Sequence, residues 1–266
     1  MSRRIAKIVT KEIVMRIAVA GATGNVGART VAVLERDGHD VVRISRSLGV
    51  DLNTGKGLDD ALAGVEVVID AVSMPHADVK ETVEYFGTMT RNLLAAGERA
   101  KVRHHVLISI AGVHKVDADP HYFGKREQER LVEAGPVPWT IMPFTQFHDF
   151  AAMTAEWTEK DGVATVAPLL LQPIDPDDVA EILAEIAVGE PQGRYVDVAG
   201  PETQDLVDMA RRTYQARGRD IKLVPTWSGI FGPNTAGEVL LPGKDARIAP
   251  TTFEEWLKTQ KPTAKA

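Results

Sequence analysis

The chain has 266 residues, 44% of them hydrophobic and 26% charged, close to the globular average, which excludes a disordered or fibrous protein. Lys and Arg total 31 against 37 Asp and Glu, a net charge of −6, so the surface offers no general attraction to nucleic acid. With no cysteine, disulfides, thiolate nucleophiles and cysteine metal sites are excluded.

Residues 1–14 carry Arg3, Arg4, Lys7, Lys11 and Glu12 with no apolar core of signal-peptide length. They read as an extension outside the fold, expected to be disordered. No run of roughly 18 apolar residues is present to span a bilayer. The expectation is a soluble, cytoplasmic protein without membrane partners.

From Met15 the chain reads RIAVAGATGNVG. Ile17, Val19 and their apolar neighbours predict a buried parallel strand ending at Gly21. Thr30–Arg36 has helical spacing and stops at Gly38, a good C-cap. The runs Asp40–Ser45, Glu66–Val72, His105–Ile110 and Trp139–Met142 then alternate with helical patterns near Asp59–Ala63, Asp78–Ala100 and Lys125–Ala134. Such alternation predicts right-handed βαβ crossovers and a Rossmann-type doubly wound parallel sheet of the α/β class.

Beyond Pro143 prolines break the pattern into short pieces. A helix is expected over Asp178–Val188 behind the capping run Asp175-Pro176-Asp177-Asp178, a strand over Arg194–Val198 and a last helix over Phe253–Leu257. The chain thus reads as one domain over 15–266. Residues 15–150 mainly bind a cofactor, and 151–266 supply a small substrate lobe at the C-terminal edge of the sheet.

Gly21-Ala22-Thr23-Gly24-Asn25-Val26-Gly27 sits directly after the first strand and opens the first helix. Gly21 permits the tight turn, Gly24 lets a pyrophosphate approach the backbone, and Gly27 allows close helix packing. The helix N-terminus offers free N–H groups to phosphate. A bare strand-to-helix turn is the alternative. The second strand ends at Ser45-Arg46-Ser47, where NAD-preferring folds carry an acid for the ribose hydroxyls. An arginine between two hydroxyls suits a 2′-phosphate, hence NADP, with NADPH preferred over NADH. The alternative is a solvated surface arginine, and Arg43, within the strand, is an edge candidate.

The spacing G-x-x-G-x-x-G makes "GATGNVG" resemble the signature of the atypical short-chain dehydrogenase/reductase superfamily, in its NmrA-like, NAD(P)H-binding branch. Asp51-Leu52 resembles the family's "DL" after the third strand. "LDDALAGVEVVIDA" (58–71) resembles its next helix and fourth strand, "KREQERLVEAGPVPWTIMP" (125–143) its lysine-to-proline segment, and "PIDPDDVA" (173–180) a later one. The resemblance implies that Thr23, Asn25, Val26, Asp51, Leu52, Val72, Ser73, Lys125, Pro143 and Phe144 join the glycines, Ser45 and Arg46 around the cofactor.

Reductases of that superfamily use Y-x-x-x-K on the helix after the fifth strand. Here Tyr122 and Lys125 are one residue closer, though i and i+3 still share a helix face. The resemblance implies that Lys125 holds the nicotinamide ribose and tunes a neighbouring hydroxyl. Tyr122 is either the proton donor, a cleft wall or a packing residue. Ser109, ending the fifth strand, is the candidate that orients substrate, with Ile110 where a second serine is usual. Met142-Pro143 stands in place of a frequent Arg-Pro pair. Phe144, Gln146, Phe147 and His148 are expected to face the substrate, His148 as proton donor or as packing residue.

Adjacent His104 and His105 point to opposite faces of a strand and share no metal. No metal site is expected, Asp177 and Asp178 read as caps, and Trp227, Phe231 and Trp256 as core or cleft walls. Two readings remain: NADPH-dependent reduction of a small apolar carbonyl, quinone or enone, or a non-catalytic NAD(P) sensor of the NmrA type. Nucleotide-sugar or isomerase chemistry is weakened by the incomplete Y-x-x-x-K. The expected partner is a small-molecule substrate, and the expected assembly a monomer or homodimer.

Overall fold

A computed structural model describes residues 14–73, 78–117, 119–229 and 231–262. The extension expected over residues 1–14 lies outside them, apart from the exposed Val14. The strands are β1 (Arg16–Ala20), β2 (Asp40–Ile44), β3 (Val67–Asp70), β4 (His104–Ile110), β5 (Trp139–Phe144), β6 (Val163–Val166), β7 (Leu170–Leu171), β8 (Gly193–Arg194), β9 (Val198–Ala199), β10 (Gln204–Asp205), β11 (Lys222–Pro225) and β12 (Arg247–Ile248). The helices are α1 (Asn25–Arg36), α2 (Leu58–Leu62), α3 (Val79–Ala100), α4 (Pro120–Ala134), α5 (Phe150–Thr158), α6 (Pro176–Val188), α7 (Leu206–Ala216) and α8 (Phe253–Leu257).

The main sheet runs β12-β9-β5-β4-β3-β1-β2, with β8 also on β5, and each pairing in it is parallel. The chain leaves β1 for β2 on one side and returns to β3 on the other. That reversal opens a crevice at the C-terminal strand ends, where such sheets bind ligands. Ile17 and Val19 pack with α1 and α6, while Ala18 and Ala20 face α2 and α3. All four are fully buried, as a central strand covered on both faces requires.

The fold is the expected doubly wound α/β sheet, with differences in detail. The strand that carries Ser109 ends one residue later, at Ile110, and is the fourth rather than the fifth, and Asp51-Leu52 follows the second, because no strand intervenes between β2 and β3. Helix α4 begins at Pro120, five residues before the expected Lys125. Asp119 caps it by accepting from His121 N, and Pro120 fits the first turn. Tyr122 is therefore helical along with Lys125. Gly124 lets α4 lie against α3: a Cβ there would sit 2.3 Å from Phe86 Cδ2.

The second half is divided more finely than a boundary at 150 suggests. Helix α6 packs on α1, and β8, β9 and β12 rejoin the main sheet, so these pieces belong to the Rossmann core. The expected strand Arg194–Val198 is broken into β8 and β9. A second core gathers α5, α7 and α8 with the parallel pair β6–β11 and the antiparallel pair β7–β10. Leu169, Leu171, Met209, Tyr214, Phe253 and Trp256 lie within it. Among the described residues no helix is long and apolar enough to cross a membrane.

Candidate functional site

A cavity of about 890 Å³ opens at the C-terminal ends of β1 to β5. Its first wall is the glycine loop. Gly21 has φ +79°, and a Cβ on it would meet Ala71 O at 2.6 Å; one on Gly27 would meet Gly21 O at 2.1 Å. The loop is thus folded tightly between β1 and β3 in a form only glycine permits. Helix α1 has Gly24 at its N-cap, with no side-chain cap and no acid in its first turn. Its leading N–H groups and positive dipole end remain available for an anion, so the cradle fits a pyrophosphate. Gly21, Thr23, Gly24, Asn25 and Val26 line the cavity, whereas Gly27 serves by packing against the turn.

At the end of β2, Ile44, Ser45, Arg46 and Ser47 line the same cavity. The hydroxyls of Ser45 and Ser47 lie 2.9 Å apart. Arg43 instead pairs with Glu35 at 2.6 Å, which makes it an edge residue. Asp51 and Leu52 are in place: Asp51 accepts from Asn53 N, and Asn92 Nδ2 donates to the carbonyls of Leu52 and Asn53. Val72 and Ser73 complete this wall.

Lys125 is buried beneath the cavity floor. Its Nζ donates to Gln128 Oε1 at 2.7 Å, Ile108 O at 2.8 Å and Val72 O at 3.3 Å, and it lies 5.3 Å from the Phe86 ring centroid. Burial pulls its pKa down to about 8. Gln128 Nε2 donates onward to Asp70 Oδ2 and Thr90 Oγ1, and Asp70 Oδ1 accepts from Val72 N. These buried bonds tie α4 to β3 and α3. Sequence reasoning missed Asp70, Thr90 and Gln128. Gln128 lies three residues after Lys125 on one helix, and Asp70 is the acid inside an apolar run; those were the available signals.

Tyr122 is buried, and its hydroxyl accepts from Gln146 Nε2 at 3.1 Å. Burial raises the phenol well above its usual pKa. Gln146 Oε1 is buried without a partner. Ser109 lines the cavity, but its hydroxyl donates to Glu129 Oε1 at 2.5 Å. Glu129 also receives bonds from Arg194 and faces His114 Nε2 at 2.7 Å. Burial opposes the Glu129 charge, yet the bonds from Arg194 and Ser109 hold its carboxyl below the usual range.

Phe144, Gln146 and Phe147 line the cavity as expected. His148 and Pro143 do not. His148 is 1% exposed, packed 5.5 and 5.6 Å from the rings of Phe253 and Trp256, with burial lowering its pKa to about 4. Its place is the second core, because the chain turns inward after Phe147 to start α5. Pro143 pairs with Ser109 inside the sheet. Sequence reasoning also missed Phe150, Met153 and Trp157 of α5, which line the cavity together with Phe231. His104 bonds to Thr140 Oγ1, while His105 Nε2 lies 4.0 Å from Asp70. Among the described residues no group of three His, Cys, Asp or Glu is placed to hold a metal.

Sheet order, crevice and glycine loop together define a Rossmann-type dinucleotide-binding protein. Residues 21–189 match the NAD(P)H-binding family, and the chain belongs to it, in keeping with the resemblance to atypical short-chain dehydrogenase/reductases. No curated protein matches the chain in sequence. Among solved structures it is similar to MoeE5 in complex with UDP-glucuronic acid and NAD, at 18% identity and TM-score 0.69 over 92% of this chain and 97% of that one. The triphenylmethane reductase of Citrobacter sp. complexed with NADP(H) is 17% identical, with TM-score 0.59 over 80% and 79%. The dTDP-4-dehydrorhamnose reductase of Bacillus anthracis in complex with NADP is 14% identical, with TM-score 0.70 over 92% and 98%. At these identities the likeness is one of fold.

Proposed function

We propose that the chain is an NADPH-dependent reductase of a small apolar carbonyl, quinone or enone. One observation carries the reading: a single cavity joins an uncapped glycine-loop helix, Arg46 and the Lys125–Tyr122 helix to a wall of apolar side chains. Bound there, NADPH would supply the hydride, to the carbonyl carbon of an aldehyde or ketone, and the proton that completes the alcohol would come from the medium by way of Tyr122. Arg46 answers the 2′-phosphate, and the first turn of α1 answers the pyrophosphate. Tyr122, neutral because it is buried, offers a proton to the substrate oxygen while Gln146 fixes its orientation. The three donors of Lys125 are occupied by protein oxygens, so it acts through charge, favouring the negative charge that develops on that oxygen.

Purified protein should oxidise NADPH in the presence of aromatic or α,β-unsaturated carbonyls, followed by absorbance. Tight NADPH binding with no oxidation across carbonyls, quinones and enones would overturn the reductase reading in favour of a non-catalytic NAD(P) sensor.

A further inference from the structure

Beside the dinucleotide cradle a polar contact joins α1 to α5. Asn25 is the first residue of α1, directly after Gly24. Its side-chain Nδ2 donates to Asp149 Oδ2 at 2.7 Å, across 124 residues of chain. Asp149 is the N-cap residue of α5, yet its side chain makes no capping bond. Carboxylates at that position ordinarily accept from their own helix; this one is turned to α1 instead. Arg29 Nη1 donates to Asn25 Oδ1 at 2.6 Å, so the Asn25 amide is held from both ends. Asn25 and Asp149 both line the cavity.

That placement sets two like charges against each other. The leading N–H groups of α1 fit a diphosphate, and the Asp149 carboxylate lies one side chain away from them. Among the described residues, the cations facing Asp149 are Arg29 and Arg217. Each is already matched: Arg29 Nε stands 2.6 Å from Asp177, and Arg217 3.7 Å from Glu156. Burial raises the Asp149 carboxyl above its ordinary pKa, although the Asn25 bond and the two arginines oppose that. A proton therefore costs this carboxyl less than an exposed one, and an anion arriving beside it lowers the cost further. Once protonated, Asp149 keeps a carbonyl oxygen that can accept from Asn25, so the link between α1 and α5 survives.

We propose that Asp149 positions Asn25 at the head of α1 and takes up a proton when a dinucleotide binds. The proton comes from water, an O–H bond forms on the carboxylate, and no electron moves. The inference rests on dinucleotide binding and not on the reductase reading. Because the charged carboxylate repels the diphosphate, affinity should fall as pH rises.

The test is calorimetric titration of the full chain with NADP⁺ between about pH 5 and 8, in buffers of differing ionisation enthalpy, which counts the protons taken up. Asp149→Asn keeps an acceptor for Asn25 and removes the charge. The 2′-phosphate titrates alike with both proteins, so their difference isolates the carboxyl. The variant should bind NADP⁺ about tenfold more tightly than wild type at about pH 8, and the gap should narrow as pH falls. Wild type should take up roughly half a proton more than the variant where its curve is steepest, as a one-unit shift requires. Titration of wild type with NAD⁺, which lacks the 2′-phosphate, should show uptake without recourse to a variant. Near-UV circular dichroism at each pH establishes that the proteins are folded.

Equal uptake in the two proteins, a pH dependence that survives Asp149→Asn unchanged, or no uptake with NAD⁺ would overturn the inference. Failure of the two readings is distinguishable. Uptake with no NADPH oxidation upholds the role of Asp149 and contradicts the reductase. Oxidation with no uptake does the reverse.

Discussion

Arg46 and Arg43 show how two arginines three residues apart divide their work. Arg43 is held by Glu35, whereas Arg46 lines the cavity between two serines. Arg46→Ala should weaken NADPH by about 1.5–3 kcal/mol, roughly ten- to hundredfold in Kd, and NADH little. Equal losses for both cofactors, read by fluorescence titration, would contradict a 2′-phosphate role. Lys125 carries a pH signature. Its folded pKa of about 8 lies below the ordinary 10.5 because it is buried. The ammonium form is therefore lost as pH rises through about 8, and kcat should decline there. Stability runs the other way: between about pH 8 and 10.5 the unfolded chain holds a proton that the folded one has released, so this residue's contribution rises with pH. Lys125→Met should remove the alkaline limb of the rate profile and lower kcat about ten- to hundredfold. Tyr122→Phe removes only the hydroxyl; an unchanged kcat would contradict Tyr122 as proton donor. His148 illustrates what a list of residues does not encode. Its neighbours Gln146 and Phe147 face the cavity, but the turn into α5 carries His148 into the second core.

Helix α4 reaches its position through Gly124. A Cβ there would fall 2.3 Å from Phe86 and 2.9 Å from Thr82, and both of those side chains are buried with little room to yield. Gly124→Ala should cost about 1–3 kcal/mol of stability in denaturant unfolding, as overpacking does. No loss would show that α3 and α4 can slide apart. At this scale the first half was legible, because parallel strands buried on both faces appear as continuous apolar runs between helical periods. The second half was less so. Helix α5 carries apolar residues on two faces, one meeting the lobe core and the other the cavity, with Glu156 between them, so its amphipathic stripe is weak. Strands β6 and β11 are four residues each and pair across a long stretch of chain, so no hairpin turn announces them. Helix α7 was not read from the sequence: Leu206, Met209, Ala210, Thr213 and Tyr214 are buried at helical spacing behind the cap Asp205, but the surrounding prolines disguise it. The glycine loop could be read because backbone geometry dictates its residues. Of the aromatic wall only Phe231 was singled out, as core or cleft wall; Phe150 and Trp157 were not, because the wall is assembled from α5 and a distant loop.

The whole molecule keeps several histidines neutral inside it. Burial lowers His104 and His148 to about 4 and His121 to about 3, and lowers His105 as well. Between pH 6.5 and about 4 the unfolded chain takes up protons that the folded chain refuses. Stability should therefore fall as pH falls through that window and be fully restored above about pH 6.5. Asp149 and Asp175, raised by burial, pull the other way. Urea midpoints at pH 7 and pH 4.5 check this, and an unchanged midpoint would contradict it. The joining of one dinucleotide cradle to one aromatic-walled cavity is tested most directly by following the hydride itself. With NADPH doubly deuterated at nicotinamide C4 and 2-naphthaldehyde as substrate, mass spectrometry should find one deuterium on the carbinol carbon of 2-naphthylmethanol. Protein that binds NADPH tightly yet yields no deuterated alcohol would contradict the proposed reduction.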